Sequence, residues 1–264
     1  MTDMGSDDKP VILRERRGQV EVLTLNRPEA RNAVNGEVAK QMTAALDDLD
    51  KDGEVRVIIL TGAGDKAFCA GMDLKAFGAG GGGSIGAGAG GFAGFARRSV
   101  PVPVIAAVNG PALAGGFELV LACDLVVAAE NAIFGIPEAK RGLLAAGGGL
   151  VRLPKRVPLA TAMELALTGD SITAQRGYEL GLVNRVVPAD RVMDESLALA
   201  GRIIENAPLS VRYSREITIQ AAEVSEEEAW KLSDEATAKV FTSADAMEGP
   251  LAFAEKRAPN WQGR

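Results

Sequence analysis

Histidine is absent from all 264 residues. That removes a Ser-His-Asp triad, a histidine-assisted cysteine nucleophile and every histidine-ligated metal site. Acid–base chemistry near neutral pH must then come from carboxylates, Lys, Tyr or Cys. Cysteine is scarce too: Cys69 and Cys123 form no disulfide framework and suit a reducing cytoplasm. Both sit among apolar or small residues, so they read as buried thiols. No run of ~18 apolar residues is present, which argues against a membrane-spanning helix. Residues 1–10, MTDMGSDDKP, have no apolar stretch of the secretory type and read as a disordered N-terminus. Basic excess is also missing. The net charge of −6 gives a nucleic acid no general attraction, and an anionic ligand would need locally placed cations.

What remains is an alternation of short apolar strands and helices. VEVLTLNRP (20–28) and VRVIILTGAG (55–64) read as strands. Between them, Val38, Met42, Leu46 and Leu49 recur at helical spacing, which predicts a β-α-β unit. VPVIAAVNGPA (102–112) and DLVVAAE (124–130) predict further strands, with a short helix over GGFELVLAC (115–123) between them. From about 143 helices dominate: 158–169 and 173–181, each closing on glycine, a last strand at 182–188, then helices at 190–208 and 225–241. Ser225 and Glu228 stand at capping-box spacing. The expected organisation is a β/α core over 11–190 followed by a helical section over 191–264. One stretch breaks the pattern. Ten of the seventeen residues 78–94 are glycine, a composition that predicts a mobile loop rather than a packed element.

Three strand ends, TLNRPEA (24–30), ILTGAGD (59–65) and AVNGPALAGG (107–116), are built alike. In each, a buried strand runs into Asn or Gly and then small residues. A stacked series of β-β-α turns would produce that recurrence. After the second, KAFCAGMDLKAF (66–77) presents Ala70, Gly71 and Met72 where strand ends of α/β folds hold ligands. Gly115 would open a helix, leaving its N–H unpaired and electropositive. The N–H groups of Met72 and Gly115 together could stabilise a developing oxyanion; on spacing alone, two tight turns without a ligand are the plainer reading. Glu118 lies inside an otherwise apolar helix, where burial should raise its pKa. Glu138, in FGIPEAKRG (134–142), reads by itself as a surface turn.

Those segments, together with NRPEARNAV (26–34), LTGDSITAQRGYELGLVNRVVP (167–188) and GPLAFAEKR (249–257), resemble the crotonase superfamily and its enoyl-CoA hydratases in order along nearly the whole chain. The resemblance implies an α/β fold, a spiral of ββα turns with a helical C-terminal trimerisation section, and trimers or dimers of trimers. It also implies an acyl-CoA thioester as substrate, with coenzyme A a part of that substrate and no separate cofactor. By this likeness Met72 and Gly115 hold the thioester oxygen, while Ala70, Asp73, Leu74 and Lys75 lie along the CoA moiety. Ala30 and Arg31 border its nucleotide and pantetheine, and Lys256 reaches a CoA phosphate, in some members from a neighbouring subunit. Glu118 and Glu138 fall on the two catalytic glutamates: Glu138 would donate a proton to Cα, and Glu118 would orient and deprotonate water. Keeping both acids favours hydration over isomerisation or simple acyl-CoA binding. AAGGGLVRLPKRVP (145–158) departs from the Gly-Thr-Gln-Arg run of many hydratases and is similar to the carnitinyl-CoA (crotonobetainyl-CoA) dehydratase subgroup. The glycine-rich segment replaces a region that lines the acyl pocket in relatives, leaving chain-length preference unread.

Overall fold

The structure is a computed structural model that describes residues 9–78, 86 and 88–264. The expected disorder of the first ten residues falls largely on 1–8, outside the described residues; so do 79–85 and 87 of the glycine-rich stretch.

β1 (Ile12–Arg17) and β2 (Val20–Leu25) form an antiparallel pair. β2 then runs parallel to β3 (Val57–Gly62), with α1 (Gly36–Leu49) between them in sequence. α1 forms as its spacing requires: the Asn35 side chain accepts the Val38 N–H at its start, and Val38, Met42, Leu46 and Leu49 are buried. Parallel pairing continues through β4 (Val104–Val108), β6 (Leu125–Ala129) and β9 (Arg185–Val187). The large sheet therefore has the order β1-β2-β3-β4-β6-β9. Burial on both faces explains the unbroken apolar runs of β3 and β4, every residue of which is buried.

A second, smaller sheet contains β5 (Ala112–Leu113), β7 (Ile133–Gly135) and β8 (Ser171–Thr173). Isolated bridges Cys69↔Ala112 and Val34↔Met72 extend that layer back along the chain. Each successive turn thus leaves a strand in the large sheet and then contributes residues to the small layer. This is the ββα spiral. The fold is the crotonase type expected from the sequence.

β1 was not legible as a strand because only Ile12 of its residues is buried. The rest of the Ile12 face is held by charge: Arg14 and Arg16 both bond buried Glu21, and Arg14 also bonds Asp48. An exposed edge strand tolerates this pattern.

α2 (Leu74–Gly78) follows β3, and α3 (Gly115–Ala122) sits between β5 and β6. All but the last residue of α3 are buried, and Phe117 packs against Phe134 with ring centroids 5.4 Å apart. α4 (Gly149–Arg156) carries an internal Pro154, which hid it in the sequence. α5 (Leu159–Thr168) stops at Gly169 and α6 (Ala174–Glu179) precedes the last strand.

The helices after residue 190 are α7 (Val192–Ile204), α8 (Pro208–Ala221), α9 (Glu226–Phe241) and α10 (Ala244–Glu255). α7 packs against β3, β4 and β6. α8 is fastened to the core by Arg215, whose Nε bonds Asp124 at 2.8 Å and whose Nη1 bonds the Val100 carbonyl at 2.9 Å. α9 opens with the Ser225–Glu228 capping box.

The glycine-rich stretch departs from its expectation where it is described. Phe92–Gly94 is a 3₁₀ turn packed on α1, with Ala93 and Gly94 buried. Composition alone could not reveal this, because the glycine there serves close contact: a Cβ on Gly94 would stand 2.1 Å from Thr43 Oγ1.

Candidate active site

The turn after β3 is locked to the turn after β4. The N–H groups of Phe68 and Cys69 both donate to the Pro111 carbonyl, and Leu113 N–H donates back to the Cys69 carbonyl at 3.0 Å. Gly71, at φ +92°, closes the junction, where a Cβ would lie 2.8 Å from the Ala114 Cβ and 3.0 Å from Gly115 N. Only glycine combines that backbone with that approach. The two expected donors are therefore neighbours.

Both donors also lack acceptors among the described residues, for identifiable reasons. Met72 bridges Val34 in parallel, an arrangement carried by Val34 N–H to the Gly71 carbonyl and Asp73 N–H to the Val34 carbonyl. The N–H of Met72 itself is left facing the other way. Gly115 is the first residue of α3 and has no preceding helical carbonyl to pair with. Among the described residues, neither N–H meets an acceptor. Ala114, just before it, takes φ 50°, ψ −128°, a rare conformation for a residue with a Cβ. Its N–H is pinned to the Gly135 carbonyl at 2.9 Å. Strain of this sort, of order 1–3 kcal/mol, persists only where neighbours enforce it.

Glu118 projects from the first turn of α3 and is 3% exposed. Its Oε1 accepts the Gly149 N–H at 2.8 Å. The loop 147–149 fits tightly over the carboxylate: a Cβ on Gly147 would be 2.5 Å from Oε2. Burial raises the Glu118 pKa, against the backbone N–H groups of Gly149, Gly147 and Gly148 and the charge of Arg152.

Glu138 sits on the 3₁₀ turn Pro137–Arg141 and is half-buried, not the plain surface residue that spacing alone suggested. Its Oε2 is fully buried and has no hydrogen-bond partner among the described residues. Burial pushes its pKa up to about 7; its own backbone N–H and Arg141 oppose the rise, and the charge of Glu118 adds to it. The charge of Glu118 thus reaches Glu138, and the two carboxylates differ in their hydrogen bonding. Glu118 is supported by backbone donors, while Glu138 holds its proton close to neutral pH.

The residues expected along the CoA moiety divide. Ala30 ends a 3₁₀ turn, Arg31 follows at φ 52° and is exposed, and the Arg31 carbonyl accepts the Ala70 N–H at 3.0 Å. That contact places Ala30, Arg31 and Ala70 beside the Met72 turn. Asp73 has local work: its Oδ1 accepts the N–H groups of Lys75 and Ala76, and its Oδ2 pairs with Arg27 at 3.0 Å. Burial acts to raise its pKa, but these donors hold it below the ordinary carboxylate value. Leu74 and Lys75 are exposed. Lys256 caps the end of α10 in a left-handed conformation and shares no hydrogen bond or ion pair with any of these described residues.

Sequence reasoning missed Ala114, Phe92, the Gly147–Gly149 loop as the partner of Glu118, and Arg152. The three consecutive glycines that lead into α4, Gly147 to Gly149, were the available signal. Among the described residues no group of three or more Cys, Asp or Glu is arranged to hold a metal ion.

Two backbone N–H groups without an acceptor among the described residues, the buried, hydrogen-bonded Glu118 and the partly buried Glu138 thus come together on a ββα spiral. The sequence model of the enoyl-CoA hydratase/isomerase family matches residues 15–264, and the chain belongs to that family. It is an enzyme of the hydro-lyase kind found there. It is similar to an enoyl-CoA hydratase from Mycobacterium tuberculosis H37Rv, with 48% identity, TM-score 0.93, and 97% of this chain and 100% of that one covered. It is also 45% identical over 253 residues to carnitinyl-CoA dehydratase of Proteus mirabilis, covering 94% of this chain and 97% of that protein. A solved carnitinyl-CoA hydratase from Mycobacterium avium shares 46% identity at TM-score 0.77, covering 97% and 100%.

Proposed function

We propose that this chain adds water across the 2,3 double bond of an enoyl-CoA thioester. The observation that carries this reading is the contrast between Glu118, whose Oε1 accepts the Gly149 N–H, and Glu138, whose buried Oε2 has no partner among the described residues and whose pKa is pushed up to about 7. The thioester oxygen accepts from Met72 N–H and Gly115 N–H, which stabilise the negative charge that develops as hydroxyl adds to Cβ. Glu118 takes a proton from the attacking water while that oxygen bonds Cβ, and Glu138 gives its proton to Cα. One water is consumed; the proton now on Glu118 returns through solvent to Glu138, and the cycle closes.

CoA lies along Ala30, Arg31, Ala70 and the 73–75 segment, with Leu74 and Lys75 in contact and Asp73 holding the segment's shape. It enters as part of the substrate, and no separate cofactor is required. Incubation with crotonyl-CoA should show loss of enone absorbance; no change at millimolar substrate would overturn the reading.

A second reading, carnitinyl-CoA dehydratase, draws support from the curated relative at 45% identity. It uses the same bond changes on a cationic acyl group, and crotonobetainyl-CoA in the same assay separates the two. We also infer a homotrimer or dimer of trimers, acting in the cytoplasm. Exposed Trp230, Phe241, Met247 and Phe253 on α9 and α10 leave an apolar surface for a second copy, and Lys256 would then reach a neighbour's CoA. Light scattering that returned a monomer mass at micromolar concentration would remove both ideas. No helix among the described residues is long and apolar enough to cross a membrane. The acidic net charge speaks against a nucleic-acid partner.

A further inference from the structure

Phe92 is the one aromatic side chain of the glycine-rich stretch, and the structure aims it at the site. Its ring is pressed on Gly115: a Cβ there would lie 2.3 Å from Cζ, 2.5 Å from Cε1 and 3.0 Å from Cε2 of Phe92. The other end of the side chain abuts the loop over Glu118, with the Phe92 Cβ 3.1 Å from where a Cβ of Gly147 would be. Phe92 therefore spans the distance from an oxyanion donor to the loop that holds the water-activating carboxylate.

Its backbone is fixed from several sides. Gly94 N–H bonds the Gly91 carbonyl at 2.9 Å, Ala96 N–H bonds the Phe92 carbonyl at 3.0 Å, and Arg97 N–H bonds the Gly90 carbonyl at 2.8 Å. Ala93, wholly buried, is held at φ 57°. Arg152 on α4 donates Nη2 to the Ala96 carbonyl at 2.6 Å. A left-handed buried alanine beside a glycine seated on α1 is a costly way to make a loop. It yields an aromatic side chain with little freedom to move aside.

We propose that Phe92 is the wall of the acyl pocket and the residue that restricts this enzyme to short 2-enoyl groups. The inference rests on the proposed hydration. With the thioester oxygen at Gly115 N–H and Cβ at Glu118, the reacting carbons lie along the line that Phe92 spans. Carbons beyond Cβ must pass its ring. Packing against a fixed apolar wall discriminates by single methylenes, and a rigid wall of this kind excludes longer chains.

The test measures kcat/KM for Phe92→Ala, Phe92→Leu and the unaltered enzyme across trans-2-enoyl-CoAs of four to ten carbons. In parallel, calorimetry measures binding of the unreactive butyryl-CoA and decanoyl-CoA. The unaltered enzyme should favour the four-carbon substrate, and Phe92→Ala should raise the ten-to-four ratio about tenfold or more. Phe92→Leu, which keeps an apolar contact and serves if the alanine variant does not fold, should fall between. The binding ratio should move in the same direction without any turnover. Folded variants with the chain-length profile of the unaltered enzyme would overturn the proposal alone. An unaltered enzyme that neither hydrates an enoyl-CoA nor binds an acyl-CoA would overturn the functional reading, and this inference with it.

Discussion

Gly71 and Gly115 belong to different turns of the spiral, yet a Cβ on the first would stand 3.0 Å from the backbone nitrogen of the second. This contact sets the spacing between the two proposed oxyanion donors, because Met72 follows Gly71 directly. Gly71→Ala would place a methyl group against Ala114 and Gly115 at φ +92°, which no relaxation of a flexible side chain can absorb. Crotonyl-CoA hydration should fall by a factor of about 10²–10³, the effect expected from misplacing one oxyanion donor. Stability should drop by about 1–3 kcal/mol from the backbone strain. Near-normal kcat in a folded Gly71→Ala protein would mean that these turns do not build the oxyanion site.

The two glutamates predict a bell-shaped dependence of kcat/KM on pH. Hydration needs Glu118 ionised and Glu138 protonated, so activity should fall on the alkaline side near pH 7, where Glu138 loses its proton. The acid limb belongs to Glu118, displaced above its ordinary value of 4.5 by burial. In the residual activity of Glu138→Gln the alkaline limb should vanish. Stability carries the same signature with a fixed sign. The folded state binds the Glu138 proton more tightly than the unfolded chain, so folding loses stability as pH rises from about 4.5 to about 7. Glu138→Gln should therefore raise Tm at pH 8, by roughly 2–5 °C after discounting for partial exposure, and leave it nearly unchanged at pH 4. A lower Tm at pH 8 would show that the ionised carboxylate is not a burden on the fold.

Much of this was legible because strands and helices with apolar periodicity announce themselves, and β2, β3, α1 and α9 lie where spacing puts them. β1 was not, since its order comes from Arg14 and Arg16 on Glu21 rather than from an apolar face. α4 was masked by Pro154. The donor residues Met72 and Gly115 could be named from the sequence, but their neighbourhood depends on Gly71 meeting Ala114 across two turns, a contact no local pattern encodes. The state of Glu138 was the least readable. Its spacing suggests a surface turn, and only tertiary burial leaves Oε2 without a partner. Phe92 was hidden for the opposite reason: its glycine neighbours advertise mobility while supplying the backbone shapes of a packed turn.

Arg215 is predicted to hold the helical section to the core. It donates to Asp124 and to the Val100 carbonyl, and the same Asp124 oxygen accepts the Val104 N–H at the start of β4. Both side chains are only 18% exposed. Arg215→Met preserves the aliphatic stem but leaves a poorly solvated carboxylate with one donor. Denaturant unfolding should show a loss of about 2–3 kcal/mol, less than the full cost of orphaning a deeply buried charge. The double variant Arg215→Met with Asp124→Asn should recover part of it. A single variant as stable as the parent would mean that α8 is held by apolar packing alone.

The division of labour between the acids can be read from three proteins: Glu118→Gln, Glu138→Gln and the double variant. Glutamine keeps the shape of each side chain and removes its transferable proton. If one water is added by both carboxyls in concert, either change should lower kcat by about 10² or more. The double variant should lose little beyond the worse single one, because both groups act on one transition state. Binding of butyryl-CoA should persist in all three, since its proposed contacts are to Ala30, Arg31, Ala70, the 72–75 segment and Gly115. The Glu118 variant carries an internal check: the glutamine amide oxygen can still accept the Gly149 N–H, so a structural role alone would leave turnover largely intact. Full hydration by Glu118→Gln beside a dead Glu138→Gln would assign the chemistry to a single acid, and moving a double bond rather than hydrating it would become the better account of this site.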